Sequence, residues 1–436
     1  MSGKETFTIL EKIFKLKNPE KIENISGYSI KYGHIVDNEK IVDEVLVSYF
    51  KAPKSYTTED MCEINSHGGT IVMRKILELC LKNGAELAEP GEFTKRAFLG
   101  GRIDLSQAES VIDIINAKSE SEAKEGIKQL EGFLSEKINE TKRILLEMIT
   151  NIEVSIDYPE YDTPEVTMED MLQKISNLKS ELENLKRSFD NGKIIKDGIK
   201  TVIIGKPNAG KSSLLNAILK EDRAIVTEVE GTTRDTIEEF VNINGIPLKL
   251  VDTAGIRDSE DTVEKIGIEK SKKLAQDADL IIAILDSSKE LSKEDEEILK
   301  IAKNKKSIIV LNKSDLEQKV TRENQKLDIF YKNTINLSAK NKNGLESLYE
   351  KINNMFNLNE INLDNDVVIT NERHKNLIEK AMQNLEKATN ILKEGMPIDI
   401  VAISLKDVLS NLNSITGEEV GEEIINEIFS RFCLGK

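Results

Sequence analysis

The chain is poor in the residues that build disulfide frameworks and metal cages. It has three cysteines, Cys62, Cys80 and Cys433, and three histidines, His34, His67 and His374. An odd number of widely spaced cysteines excludes a disulfide scaffold and a cysteine-rich zinc site, and fits a reducing cytosol. The histidines stand too far apart in sequence to show metal-ligand spacing. No uninterrupted apolar run approaches the roughly 18 residues of a membrane-spanning helix. The stretch from Met1 to Phe14 lacks the pattern of a secretory leader, so a cytoplasmic location is expected. Positive charge is also in deficit: 61 Lys+Arg stand against 77 Asp+Glu, a formal net charge of −16. A protein that grips nucleic acid over its whole surface needs the opposite balance, which leaves room only for a local basic patch.

What is present suits a large globular protein. The 436 residues are 39% hydrophobic and 32% charged, a length that divides into two to four domains. Residues 1–95 read as mixed α/β. A helix is expected over Lys4–Leu16, strands over Ser29–Ile35 and Ile41–Phe50 with a turn at Asp37-Asn38, and an apolar helix through Ile71–Cys80. Residues 96–196 read as helical. Two long amphipathic runs, broken at Asp157–Glu160, suggest a helical hairpin. Residues 197–356 alternate strand and helix, with strands expected at Thr201–Ile204, Leu248–Asp252, Leu280–Asp286, Ser307–Asn312 and Thr334–Ser338. This is the rhythm of a doubly wound parallel sheet. Residues 357–436 return to helix, with Pro397 suited to a first helical position. The simplest architecture is an α/β domain inserted into a helical domain, whose flanking helices could pack together.

The chemistry concentrates in the third segment. Gly205-Lys206-Pro207-Asn208-Ala209-Gly210-Lys211-Ser212 fits G-x-x-x-x-G-K-[ST] between an expected strand and an expected helix. Its glycines let backbone N–H groups curl around phosphate, Lys211 adds a cation, and the Ser212 hydroxyl can ligate Mg²⁺. Asp252-Thr253-Ala254-Gly255 resembles the DxxG element of GTPases. Asn312-Lys313-Ser314-Asp315 resembles their N-K-x-D guanine reader, in which the Asp315 carboxylate can accept from guanine N1 and N2; adenine would leave it unpaired. Ser338-Ala339-Lys340 resembles the loop that closes over the base. Gly231-Thr232-Thr233-Arg234-Asp235 lies where switch I is expected, with Thr233 able to complete the Mg²⁺ shell. Ile256 follows the DTAG element where Ras-like enzymes have a water-orienting Gln. Either hydrolysis is very slow or another polar group takes that role; Glu264 can, as one of several nearby acids with Glu260 and Asp261. Asn208 can place an amide oxygen beside the phosphates and ligate K⁺. Such a cation can stand in for an arginine finger, an effect of about 10³–10⁵-fold in rate.

The order of these motifs, the helical flanks and the ending Cys433-Leu434-Gly435-Lys436 resemble the MnmE (TrmE) family of tRNA-modification GTPases, which ends in C-x-G-K. Phe93–Leu99, Arg102–Glu109 and Ser55–Gly69 resemble its helical-domain and N-terminal signatures. The resemblance covers essentially the whole chain. It implies GTP hydrolysis with Mg²⁺ and K⁺ and a homodimer formed through the N-terminal domains. It also implies a heterotetramer with the FAD protein MnmG, which adds an aminomethyl-type group to C5 of the wobble uridine of tRNA. The one-carbon unit would come from a 5-formyl-tetrahydrofolate-type folate. By motif match GTP would be met by Asn208, Ala209, Gly210, Lys211, Ser212 and Ser213, and by Thr227, Glu228, Val229, Glu230, Gly231, Thr232 and Thr233. Asp252, Thr253, Ala254 and Gly255 would follow, then Asn312, Lys313, Ser314, Asp315, Ser338, Ala339 and Lys340. Ser212 and Thr233 would hold Mg²⁺; Asn208, Thr227, Val229 and Thr232 would hold K⁺. Glu264 matches the family's catalytic glutamate. Glu63, Arg102 and Lys436 match folate contacts, with Arg102 where the family often has Lys. Cys433 matches a cysteine of the modification chemistry, although its residue type alone equally suits a small buried hydrophobe.

The family pattern also contains a strand and loop, ending in a folate-binding Arg, ahead of the segment that matches Met1-Ser2-Gly3. A start codon placed inside the gene, or a shortened chain, would account for their absence here. Two other readings compete: an Era-like ribosome-assembly GTPase, disfavoured by the acidic helical return after residue 356, and a non-catalytic GTP-switched scaffold with tRNA held by the partner.

Overall fold

The hydrophobic period of residues 4–16 predicts one helix, yet the chain makes two elements of it. In the computed structural model, which describes residues 1–17, 28–157, 167–219, 239–243, 246–251, 274–356, 368–433 and 435, helix α1 spans Thr6–Ile13 and strand β1 spans Phe14–Leu16. The reason is tertiary: β1 pairs antiparallel with β2 (Ser29–Asp37), Phe14 opposite Ile35, and Phe14 is buried. β3 (Lys40–Phe50) and β4 (Met61–Asn65) complete an antiparallel sheet in the order β1-β2-β3-β4. The β2–β3 turn falls on Asn38 and Glu39, both at positive φ (47° and 74°), between the paired Asp37 and Lys40. That is the two-residue turn whose twist matches the flanking strands. Alternation does the rest: Val45, Val47 and Tyr49 face a core with Leu10, Ile13, Cys62 and α2 (Thr70–Lys82) residues Ile76, Leu79 and Cys80.

Helices follow: α3 (Glu92–Leu99), α4 (Leu105–Asn116), α5 (Glu120–Glu131), α6 (Phe133–Asp157) and α7 (Met168–Asp197). The chain closes with α11 (Glu372–Lys393), α12 (Ile398–Thr416) and α13 (Glu422–Ser430). It divides into two compact units: Met1–Asp113 with Lys128–Pro164 and Glu394–Lys436, and Ile114–Ile127 with Glu165–Lys393. The loop of the expected hairpin between the two long helices, residues 158–166, lies outside the described residues. In the first unit α6 packs on α12, and in the second α7 packs on α11. The expectation that helices on both sides of the insert meet is therefore met twice. Both seams are apolar, with Leu145, Met148, Ile152, Val401, Leu405 and Leu412 buried in one and Ile175, Leu178, Leu182, Ile378, Ala381 and Leu385 in the other. Pro397 sits just before α12 in extended conformation, capping the helix instead of opening it.

Within the second unit α7 runs directly into β5 (Ile199–Ile204) through Gly198, at φ 75°. A Cβ there would meet the Pro247 carbonyl at 2.6 Å, so both the left-handed turn and the close approach require glycine. The sheet continues with β6 (Glu239–Ile243), β7 (Ile246–Leu250), β8 (Leu280–Asp286), β9 (Ser307–Asn312) and β10 (Thr334–Asn336). Helices α8 (Lys211–Leu219), α9 (Lys293–Ala302) and α10 (Leu345–Met355) accompany it. The strand order is β10-β9-β8-β5-β7-β6. The five expected strands pair in parallel, and a sixth that was not expected, β6, is antiparallel to β7. Asn244-Gly245, the two residues between them, are the sequence signal for such a hairpin. β8 and β9 are buried along their whole length, as central strands covered on both faces are. The fold is thus the expected one: a small α+β domain, then a helical domain interrupted by a P-loop α/β domain.

Burial separates the thiols. Cys62 and Cys80 are buried and free, and burial pushes the Cys62 thiol up to about 11 and raises Cys80 as well. Cys433 is exposed, which removes its reading as a buried hydrophobe. Thiol titration of the native protein at pH 8 should therefore find one fast group, lost in Cys433→Ser, and three groups after unfolding.

Candidate functional site

The site is built at the carboxyl ends of β5, β8 and β9. β5 delivers the loop 205–210, and α8 begins at Lys211. Asn208 (φ 61°) and Gly210 (φ 106°) take left-handed conformations, the backbone habit that turns successive N–H groups toward one anion. A Cβ on Gly210 would fall 2.0 Å from the Asn312 amide nitrogen, so the loop's glycine also makes room for its neighbour. The Lys211 ammonium donates to the carbonyls of Gly205 (2.7 Å) and Lys206 (3.0 Å). Burial holds its pKa below the ordinary lysine value. Ser212 is half-buried on the first turn of α8, and Asn208 and Ser213 are exposed.

The base-side loops are tied to this one. The Asn312 side chain, almost fully buried, donates to the Ala209 carbonyl (2.8 Å) and accepts from the Ala339 N–H (3.0 Å). One residue at the end of β9 thus joins the phosphate loop, the N-K-x-D element and the S-A-K loop. The Ser338 hydroxyl donates to Asp315 Oδ1 at 2.6 Å, which lowers the pKa of that exposed carboxyl. Lys313, at φ 62°, places its ammonium 2.7 Å from Asp286 at the end of β8. Burial of Asp286 raises its pKa, but the bonds from Lys313 and Ser288 outweigh it and the carboxyl is held low. Ser287 donates through both N–H and hydroxyl to the Asn312 carbonyl. Ser314 N–H donates to the Leu337 carbonyl, and Lys340 is exposed.

The sequence motifs therefore converge wherever they are described: Asn208–Ser213, Asn312–Asp315 and Ser338–Lys340 meet at the carboxyl end of the sheet. Thr227–Thr233, Asp252–Gly255, Glu264 with Glu260 and Asp261, and Lys436 lie outside the described residues. Sequence reasoning missed Asp286 and Ser287, which hold the N-K-x-D element, and the pair Lys206–Asp295. Asp295 belongs to the capping box of α9 with Ser292, which the S-x-x-D spacing could have flagged.

In the first unit, the Arg102 guanidinium lies 4.4 Å over the Tyr56 ring. Tyr56 packs against a cluster with Ala97, Ile103, Phe429 and Phe432. Gly91 N–H donates to the Cys433 carbonyl (3.3 Å), and Lys95 donates to Asn426 (2.7 Å). Arg102 and the Cys433 segment therefore share one neighbourhood. Glu63 lies exposed on β4 opposite Ser48, and nothing described joins it to them. Arg96, in the same signature, is pinned between Glu59 and Glu92.

Among the described residues no cluster of three His, Cys, Asp or Glu side chains is placed to hold a metal, and no helix is long and apolar enough to cross a membrane. Residues 1–102 match the family model "GTP-binding protein TrmE N-terminus", and residues 105–433 match "MnmE helical domain". The tRNA modification GTPase MnmE of Clostridioides difficile is 49% identical over all of this chain and 95% of its own length. That of Acetivibrio thermocellus is 48% identical, again over the whole chain and 95% of its own. The solved G domain of the T. maritima FeoB iron transporter aligns at 25% identity over 36% of this chain and 98% of its own, with a TM-score of 0.27, too low to bear on the fold. Two adjoining family models and full-length identity near one half settle the kinship: the chain belongs to the MnmE family of tRNA modification GTPases.

Proposed function

We propose that GTP hydrolysis by this chain drives the addition of an aminomethyl-type group to C5 of the wobble uridine (U34) of tRNA. The work would be done as a cytoplasmic homodimer with the FAD protein MnmG, on a folate-borne one-carbon unit. The observation that carries the nucleotide half is the Asn312 bridge, which brings the phosphate loop and the guanine reader together around a carboxylate, Asp315, held ready by Ser338. The domain division at 95, 196 and 356 belongs to the same reading.

The donor set fits the proposed cations. Asn208 offers an amide oxygen from an exposed, left-handed position of the loop, and Ser212 offers a hydroxyl on the first turn of α8. Both are hard oxygen ligands, as Mg²⁺ and K⁺ prefer. Thr233 would join Ser212 on Mg²⁺, and Thr227, Val229 and Thr232 would join Asn208 on K⁺. These ions would supply the positive charge that phosphoryl transfer needs. Lys211 binds phosphate oxygen, Asp315 accepts from guanine, and Glu264 orients the attacking water that Ile256 cannot. For the folate, Arg102 with Glu63 and Lys436 is the proposed set; the Arg102 guanidinium stacked on Tyr56 is a planar cation suited to a carboxylate or a ring. Cys433, exposed at the C-terminal segment, is the proposed participant in the modification itself. The acidic balance of −16 supports tRNA being held largely by the partner.

GTP turnover should be well above the Na⁺ rate in K⁺; equal rates would remove the cation's role. Glu264→Ala should leave GTP affinity within about twofold while nearly abolishing turnover, a loss confined to the transition state; unchanged turnover would reassign water orientation. Asp315→Ala should weaken GTP binding by at least about a hundredfold, because two guanine N–H donors are left without an acceptor, and should leave weak ATP binding unchanged. Fluorescence titration with both nucleotides reads this directly.

A further inference from the structure

We propose that Asp295, acting through Lys206, is a positioning residue that holds the phosphate loop in its binding shape. The inference rests on residues 205–212 being the nucleotide loop. The Lys206 ammonium lies 2.6 Å from Asp295 Oδ2, with side-chain exposures of 15% and 1%. The same oxygen accepts from the Ser292 N–H (2.9 Å) and hydroxyl (2.8 Å), while Asp295 Oδ1 is buried without a partner. A capping box needs neither burial nor a counter-ion; it forms equally well with an exposed Glu or Gln. Burying a carboxylate with one oxygen unpaired is costly, and removing its lysine would leave the charge stranded. The arrangement is therefore explained by what it does to Lys206.

Lys206 ties the loop at two points, its carbonyl and its side chain. Its carbonyl accepts from the Lys211 ammonium (3.0 Å) and from the Ala209 N–H (3.3 Å). Pro207 follows it and restricts its backbone to extended conformations. Its side chain is fixed to α9, which is itself anchored in the sheet's core through Ile298, Leu299 and Ala302. A rigid element thus sets the direction of the carbonyl that holds the phosphate-binding lysine. Such support acts on ground and transition states alike, so its loss appears in affinity and KM, with kcat kept.

The test uses the full chain and four variants: Asp295→Asn, which keeps the size and the cap acceptor, Lys206→Met, Lys206→Arg and the Asp295→Asn/Lys206→Met double. The readouts are affinities for fluorescent GDP and a non-hydrolysable GTP analogue, kcat at saturating GTP, and thermal midpoint. Each of the first two variants should weaken both nucleotides about tenfold, a typical coupling. The double should be no weaker than the worse single, Lys206→Arg should restore most of the affinity, and kcat should stay within about twofold. Unchanged affinities, losses that add in the double, or a fall in kcat at unchanged affinity would overturn the proposal. If Asp295→Asn does not fold, the two Lys206 variants decide by the same criterion. Failure of the wild-type chain to bind GTP would overturn the nucleotide-loop reading as well; wild-type binding with unaffected variants overturns the clamp alone.

Discussion

The amide of Asn312 donates to Ala209 and accepts from Ala339 inside a buried junction, so that neither the phosphate loop nor the base-side loop can move without breaking a bond to the other. Each bond is of the modest net kind, but an unpaired backbone group at this depth costs about 1–3 kcal/mol. Gly210 follows from the same contact, since any side chain there would occupy the amide's place. Asp315, in the same element as Asn312, accepts from the Ser338 hydroxyl beside Ala339. The phosphate-loop motif and the N-K-x-D and S-A-K elements are in this sense one structural unit, joined by a residue whose own hydrogen bonds go to the protein.

The same economy appears on a larger scale. The helical part of the chain is made twice over, α6 with α12 in one compact unit and α7 with α11 in the other. α7 hands the chain to β5 through the single residue Gly198. A nucleotide domain joined to a 30-residue helix by one glycine has no flexible linker at that junction.

Much of this was legible in the sequence because the phosphate loop and its partners are local motifs. Spacing alone located residues 205–212, 312–315 and 338–340, and period-2 and period-3.6 patterns located most strands and helices. The failures are non-local. Phe14–Leu16 has helical spacing but is claimed by β2, and Met61–Asn65 is too short and mixed to announce itself. Nothing in the residues of the two long helices names α11 and α12 as their partners. Lys206–Asp295 and Lys313–Asp286 link residues 89 and 27 positions apart, and no motif spans such pairs. Cys433 was ambiguous by type, and only its exposure decided it.

The most direct test of the account is the GTP dissociation constant of Asn312→Ala, measured alongside the far-ultraviolet circular dichroism of the same protein. With both loops released, affinity for GTP and GDP should fall by at least about tenfold, the scale of one or two lost buried bonds, while the helical signal is retained. A variant that keeps wild-type affinity for both nucleotides would contradict the claim that this amide unites the site.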